Sequence, residues 1–210
     1  MTYSHKTFSI YIYWNPENHF LNINSSNEKK LELFKQAYFR DIFLIKKLLN
    51  CHTLEAIHFG GKSVAYMPNN LLISLIKELK KNFVKKNNLE ISVELEINHI
   101  NKKILNFLKL SEVTRLSLGP FLFENKKVEA SLCDLLKKIN FCTDHFKNIS
   151  LDLFYKRRNL NVKRFFKVLD KISKSNITHL STYENDGNFK KSIISKNILS
   201  REEFLKECNR

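Results

Sequence analysis

The feature that most constrains the fold of this chain is a regular alternation of strand-like and helix-like segments. Each run rich in β-branched and aromatic residues is followed by a segment with helical spacing of apolar residues or with helix-capping residues. The predicted strands are Thr7–Trp14, Leu54–Gly61, Leu89–Ile97, Val113–Gly119, Asn148–Tyr155 and Ile177–Tyr183. The predicted helices are Asn27–Asn50, Asn69–Phe83, Asn101–Leu110, Val128–Phe146, Val162–Ser175 and Ser200–Arg210.

Strands that are separated by helices pair in parallel, because a parallel pair needs a long crossover connection. The sequence therefore predicts an α/β fold, either a doubly wound open sheet or a partial (βα) barrel. Its 210 residues, 43% of them hydrophobic, are enough to bury a substantial core. No shift in composition marks an internal boundary, so we expect a single domain over residues 1–210.

The composition also bears on location. No apolar run reaches the roughly 18 residues of a membrane-spanning helix, and the N-terminal residues lack the basic-then-apolar pattern of a signal peptide. We therefore expect a cytoplasmic location. The cysteines are far apart and form no C-x-x-C pair, so we expect reduced, mostly buried thiols and no metal site; they are Cys51, Cys133, Cys142 and Cys208.

The chain is strongly basic, with 36 Lys and Arg against 21 Asp and Glu and a formal net charge of +15. A field of this sign attracts phosphates or carboxylates. The abundance of Lys, Asn, Ile and Phe is also what an AT-rich genome produces, so both interpretations stay open. The densest basic segment, Tyr155–Lys167, follows the fifth strand. Its residues Lys156, Arg157 and Arg158 are candidates for anion binding, as is Lys62.

Ligands of parallel α/β proteins bind at the carboxyl ends of the strands. This rule selects Gly60 and Gly61 after the second predicted strand, Glu94 in the third and Asp152 in the fifth. Two adjacent glycines in a chain that has four of them indicate either a tight turn or a backbone that a ligand approaches closely.

Six fragments occur in order over nearly the whole chain: IYIYWNPE, IHFGGKSVA, ISVELEI, RLSLGPFLF, ISLDLFYKRRNLN and HLSTYEN. In the same order they are similar to YIHIPFC, IYFGGGTPS, ITIEANP, RLSLGVQSF, ISIDLIYGLPGQT and HISXYXL of one family. The chain thus resembles the radical S-adenosylmethionine (SAM) enzymes, and within them oxygen-independent coproporphyrinogen III oxidase and its haem-chaperone relatives.

The resemblance implies a partial (βα)6 barrel of the radical SAM type and a role in handling haem or porphyrin. It places Gly60 and Gly61 in a glycine motif that holds the amino-acid end of SAM. Glu94 and Asp152 match positions that contact SAM. Arg115, near the start of the fourth strand, is expected to be structural. His179 is expected to be a buried core histidine rather than a haem ligand.

The departures from the family concern the iron–sulfur cluster. Its C-x-x-x-C-x-x-C motif falls near Glu17, Leu21 and Asn24, and the segment from Asn15 to Asn27 contains no cysteine. Three thiolates hold such a cluster, so a [4Fe–4S] cluster is not expected here. The family's further C-terminal domain is also expected to be missing.

We therefore predict a degenerate protein of this group, without radical catalysis, that binds haem, porphyrin or SAM. The alternative is a basic, non-enzymatic protein that binds RNA or another polyanion.

Overall fold

The computed structural model describes residues 6–15, 28–49, 52–123, 128–156 and 160–184. The strands are β1 (Thr7–Trp14), β2 (Thr53–Gly61), β3 (Val84–Leu95), β4 (Arg115–Phe123), β5 (Asn148–Tyr155) and β6 (His179–Glu184). The α-helices are α1 (Glu28–Leu48), α2 (Asn69–Asn82), α3 (Lys102–Leu110), α4 (Val128–Thr143) and α5 (Val162–Ser173). Short 3₁₀ turns cover Val64–Tyr66 and Ile97–His99. The helix predicted over Ser200–Arg210 lies outside the described residues.

The strands follow one another across the sheet in the order β1-β2-β3-β4-β5-β6 within the described part of the chain. The pairs β1–β2, β2–β3 and β5–β6 are parallel, as the intervening helices require. The predicted order of strands and helices is thus confirmed for every element that the described residues include.

The ends of the elements depend on capping and on burial. Asn101 caps α3, since its Oδ1 accepts a hydrogen bond from the Ile104 N–H at 3.0 Å. Asn161 caps α5 through the Arg164 N–H at the same distance. Strand β3 begins at Val84 rather than at Leu89, and its first residues are exposed. These residues lack the period-two alternation by which the rest of the strand was recognised.

The chain divides into two compact units, with the boundary between Leu116 and Ser117. In the first unit, α2 buries an apolar face made of Leu71, Leu72, Leu75, Ile76 and Leu79. In the second unit, α5 buries Phe165, Val168 and Ile172. The Phe165 ring lies edge-on to the Phe123 ring, with the two ring centroids 5.1 Å apart. The single domain expected over residues 1–210 stays a prediction.

Strand β1 shows how the first unit separates its apolar and polar sides. Ile10, Ile12 and Trp14 are buried, whereas the intervening Tyr11 and Tyr13 are each 54% exposed. Successive side chains of a strand point to opposite sides of the sheet, so both tyrosines lie on the same side. The Tyr38 hydroxyl of α1 donates to the Tyr13 carbonyl oxygen at 2.7 Å and so fixes the helix to the end of this strand.

Candidate functional site

The register of the first three strands gathers polar residues on one side of the sheet. Tyr11 lies opposite His58, Tyr13 lies opposite Gly60, and His58 lies opposite Ser92 on the next strand. We call this group the polar face; it consists of Tyr11, Tyr13, His58, Gly60, Ser92 and Glu94. All of these residues belong to the first unit.

Glu94 is the centre of a hydrogen-bonded network on the polar face. Its Oε2 accepts from the Gly61 N–H at 2.9 Å, and its Oε1 lies 3.1 Å from His58 Nε2. The other ring nitrogen of His58, Nδ1, lies 2.7 Å from the Ser92 hydroxyl oxygen. Each carboxylate oxygen therefore already has a partner from the protein, and the His58 ring is held at both nitrogens.

The network sets the ionisation of the two groups beside it. Burial alone would raise the pKa of Glu94, but hydrogen bonds from His58 and from the Gly61 N–H, together with the charge of His58, outweigh it and lower the pKa. Burial first, and then the charges of Glu94 and Tyr13, raise the pKa of Tyr11. At neutral pH the polar face thus carries an ionised carboxylate beside a neutral phenol.

The glycine pair has a structural explanation in this network. A Cβ at Gly60 would collide with Glu94 Oε1 and would lie 2.6 Å from the Tyr11 hydroxyl oxygen. Gly61 has a φ of +105°, and a Cβ there would lie 2.7 Å from the Trp14 carbonyl oxygen. Gly60 makes room for the carboxylate, and Gly61 forms the turn that directs its N–H at Glu94. The binding of a cofactor by these glycines stays a prediction.

The structure also shows a polar cluster after β2 and β3 that the sequence did not indicate. Buried Ser63 accepts from the Glu96 N–H at 3.1 Å, and its Oγ lies 3.1 Å from His99 Nδ1. The same Nδ1 lies 3.7 Å from Glu96 Oε2. One ring nitrogen faces both groups, so this is not the relay of a nucleophilic serine, which uses both nitrogens. The cluster fixes the 3₁₀ turn that follows Gly61.

The second unit contains its own acidic candidate. Asp152 on β5 accepts a hydrogen bond from the Ser117 hydroxyl to its Oδ2 at 3.2 Å. A Cβ at Gly119 would lie 2.9 Å from Asp152 Cβ, so glycine allows β4 and β5 to approach here. The role of Asp152 in binding SAM stays a prediction.

The remaining residues singled out in the sequence differ in exposure and in their contacts. Lys62 is half-buried and Lys156 is exposed, whereas Arg157 and Arg158 lie outside the described residues. Arg115 forms an ion pair with Glu90 at 3.3 Å. His179 is exposed at the start of β6, so the expectation of a buried core histidine is wrong. Since β6 ends the strand order, it has a paired neighbour on one side within the described chain.

Two of the four cysteines lie within the described residues. Cys142 is buried, which raises its pKa to about 12, whereas Cys133 is exposed. The expectation of buried cysteines is therefore confirmed for Cys142 and wrong for Cys133. Cys51 and Cys208 lie outside the described residues. The segment around Glu17, Leu21 and Asn24 also lies outside them. Among the residues that the structure describes, no three His, Cys, Asp or Glu side chains are grouped to hold a metal ion.

The side chains of this chain can be compared with the two cofactors that the family resemblance implies, a [4Fe–4S] cluster and SAM. The sequence offers no thiolate between Asn15 and Asn27, so the residues there do not fit a [4Fe–4S] cluster. A cationic sulfonium or ammonium would bind beside a carboxylate such as Glu94. His58 and the Gly61 N–H already bond its two oxygens, and the role of Glu94 in binding SAM stays a prediction.

Comparison with solved structures defines the class of fold. The chain superimposes with a TM-score of 0.68 and 19% sequence identity on the structure titled "Coproporphyrinogen III oxidase (HemN) from Escherichia coli is a Radical SAM enzyme". The likeness covers 97% of this chain and 50% of that one. The fold class is therefore an α/β partial TIM-like barrel of the radical SAM type, as the sequence predicted.

The curated proteins that this chain resembles are haem chaperones. It is 27% identical over 156 residues to "Heme chaperone HemW" of Buchnera aphidicola subsp. Schizaphis graminum, covering 69% of this chain and 39% of the relative. It is 25% identical over 201 residues to "Putative heme chaperone HemW-like protein" of Buchnera aphidicola subsp. Baizongia pistaciae, covering 86% and 52%. The chain thus spans about half or less of the length of these relatives. No family model matches it.

These likenesses agree with the resemblance found in the sequence: the chain is similar to proteins named as HemW haem chaperones and shares the fold of the HemN structure. Where the family resemblance would place the cluster motif, between Asn15 and Asn27, this chain has no cysteine. Among the described helices, none combines the length and the apolar character needed to cross a membrane.

Proposed function

We propose that this chain binds a tetrapyrrole on the polar face of its first unit and does so without radical chemistry. The observation that carries the proposal is the exposure of Tyr11 and Tyr13, 54% each, on the same side of β1. Exposed aromatic side chains beside a few fixed polar groups are typical of ligand sites. The names of the HemW relatives support a tetrapyrrole as that ligand.

The aromatic surface suits a planar ring. Tyr11 stacks on His58 with ring centroids 5.2 Å apart and an angle of 25° between the ring planes, so the two rings present parallel faces. The Asn15 amide donates to the Tyr13 hydroxyl oxygen at 3.2 Å and holds the second ring near the end of β1. Stacking on such a ring contributes about 0.5–1.5 kcal/mol beyond the area it buries.

The proposal leaves out radical chemistry because of the sequence between Asn15 and Asn27. A [4Fe–4S] cluster needs thiolate ligands, and the polar side chains of this segment offer carboxylate, imidazole, amide and hydroxyl groups instead. SAM binding by Gly60, Gly61, Glu94 and Asp152 stays a prediction, as does a cytoplasmic location.

The alternative of a polyanion-binding protein is not favoured by the comparisons, which concern haem and porphyrin proteins. The two functions differ in their response to salt. Nucleic-acid binding weakens steeply as salt rises, because counterions are released on binding. Stacking of a planar ring on tyrosines depends much less on salt.

The test is a titration of the protein with haem at low and at high salt, followed by the shift of the Soret band. We expect binding that survives high salt. Tyr11→Ala and Tyr13→Ala should each weaken it by about 2- to 12-fold, which is the loss of one stacking contact. Phe43→Ala is the matched control, because Phe43 on α1 is 52% exposed and lies off the polar face. Absence of a Soret shift, or equal losses in all three variants, would contradict the proposal.

A further inference from the structure

We infer that His58 determines the ligand specificity of the polar face, because it occupies the place that a cationic ligand group would take beside Glu94. The face would then bind ligands without a preference for those that carry an additional positive charge. The inference rests on the proposed role of the polar face in ligand binding, and it adds the charge class of the ligand.

The geometry ties His58 to Glu94 tightly. His58 Nε2 lies 3.1 Å from Glu94 Oε1, and the ring is held from the other side by Ser92 Oγ, 2.7 Å from Nδ1. Tyr11 stacks on the ring face. Rotation of His58 away from Glu94 would break the Ser92 hydrogen bond and the stacking contact together. An arriving cation therefore cannot displace the ring without losing these contacts.

The second oxygen of the carboxylate is also occupied. Glu94 Oε2 accepts a hydrogen bond from the Gly61 N–H at 2.9 Å. The carboxylate can lie this close to β2 because Gly60 has no side chain to collide with it. Each carboxylate oxygen can accept a second hydrogen bond, so a neutral donor can still bind. What the protein has already supplied is the partner at Oε1, where His58 Nε2 stands in the position that a cationic ligand group would take.

The side chains facing this pair do not reverse the effect. Tyr11 is neutral at neutral pH, since burial and the Glu94 charge raise its pKa. Within the network described for the polar face, His58 is the side chain that bonds to Glu94.

The first test compares two ligands that differ by one methyl group and one positive charge, SAM and S-adenosylhomocysteine. His58→Phe keeps a planar ring against Tyr11 and removes both ring nitrogens. His99→Phe is the matched control, since His99 is also a half-buried histidine of the first unit, bonded to Ser63 and near Glu96.

Calorimetry should give the wild-type protein and His99→Phe nearly equal affinities for the two ligands. We expect His58→Phe to prefer SAM by about fivefold, the scale of one partly exposed ion pair. His58→Gln, which keeps an N–H donor, should lie in between and serves if the Phe variant does not fold. A fivefold preference in the wild type, an unchanged ratio in the variants, or binding of neither ligand by the variants would overturn the inference.

The second test needs no ligand. The Glu94 carboxyl can be titrated by ¹³C NMR in the wild type and in His58→Phe. The variant loses the His58 contributions that lower the pKa of Glu94, so this pKa should rise in the variant and stay unchanged in His99→Phe. An unchanged Glu94 titration would overturn the inference even if haem binds. Loss of haem binding with the expected Glu94 shift would instead count against the proposed function alone.

Discussion

Two glycines, one in each unit, stand beside an acidic residue of the neighbouring strand, and they do so for different reasons. Gly60 faces the flexible ends of side chains, the Glu94 carboxylate and the Tyr11 hydroxyl. Gly119 faces Asp152 Cβ, an atom fixed to the main chain. The first glycine therefore shapes a site that can adjust, whereas the second allows two strands to lie close together. A glycine beside an acid does not by itself indicate ligand binding.

Gly61 adds a third situation, in which the backbone itself requires glycine. Its φ of +105° is rarely adopted by other residues, and the atom that an added Cβ would meet is the Trp14 carbonyl oxygen of the main chain. The three positions should consequently respond to the same substitution with effects of different size and kind.

The largest effect is expected for Gly61→Ala. Backbone strain and a collision with a main-chain atom should together lower the free energy of unfolding by about 3 kcal/mol. Urea denaturation measures this, with wild type as the reference. A loss as small as that of Gly60→Ala would show that the turn can move.

Gly119→Ala should have an intermediate effect. Asp152 Cβ can move only with its backbone, so we expect a loss of about 1–2 kcal/mol in the same denaturation experiment. Asp152→Gly is the informative second variant, because it removes the atom that the new methyl group meets. If Gly119→Ala is no less costly when combined with Asp152→Gly, the contact between these two residues is not the cause.

Gly60→Ala should change stability least and the polar face most. The side-chain ends of Glu94 and Tyr11 can swing away, and the lower entropy of the unfolded chain offsets part of the cost, so we expect a change within about 1 kcal/mol. The displaced Glu94 loses its hydrogen bonds from His58 and Gly61, so its pKa should rise in a ¹³C NMR titration. An unmoved pKa would mean that the two residues are not in contact.

The smallest effect concerns acid stability. The pKa of Glu94 is lowered in the folded protein, so its contribution to stability is present above the pKa of the unfolded chain and is lost as pH falls through the folded value. Denaturation of wild type and Glu94→Gln from neutral to acid pH should show a difference that shrinks in the acid range. A stability difference that grows toward low pH would mean that folding raises the pKa of Glu94, which contradicts the expectation.

The sequence predicted the fold well where apolar and polar residues alternate along a strand. The bounds of β1 and β5 agree with the prediction, because apolar and polar residues follow the period of a strand there. The start of β3 was not predicted because Val84–Asn88 is exposed and lacks the alternation of the rest of the strand. The register between β2 and β3 also shifts in this part of the strand. The 3₁₀ turns are too short to have a recognisable period.

The candidate site was predictable in its residues and not in its contacts. Glu94, Gly60 and Gly61 were found from the strand ends and from the family resemblance. The bond from His58 to Glu94 joins residues far apart in sequence, and it depends on the register that sets His58 opposite Ser92. A period-two pattern shows which side a residue faces, but it does not fix which residue of the next strand lies opposite.

The most direct test of the account is a haem titration of the protein after anaerobic incubation with iron and sulfide, followed by its absorption spectrum. The account predicts no stoichiometric [4Fe–4S] absorption and a Soret shift on haem addition that persists at high salt. A stable cluster held by this chain alone, or the absence of any Soret shift, would contradict it.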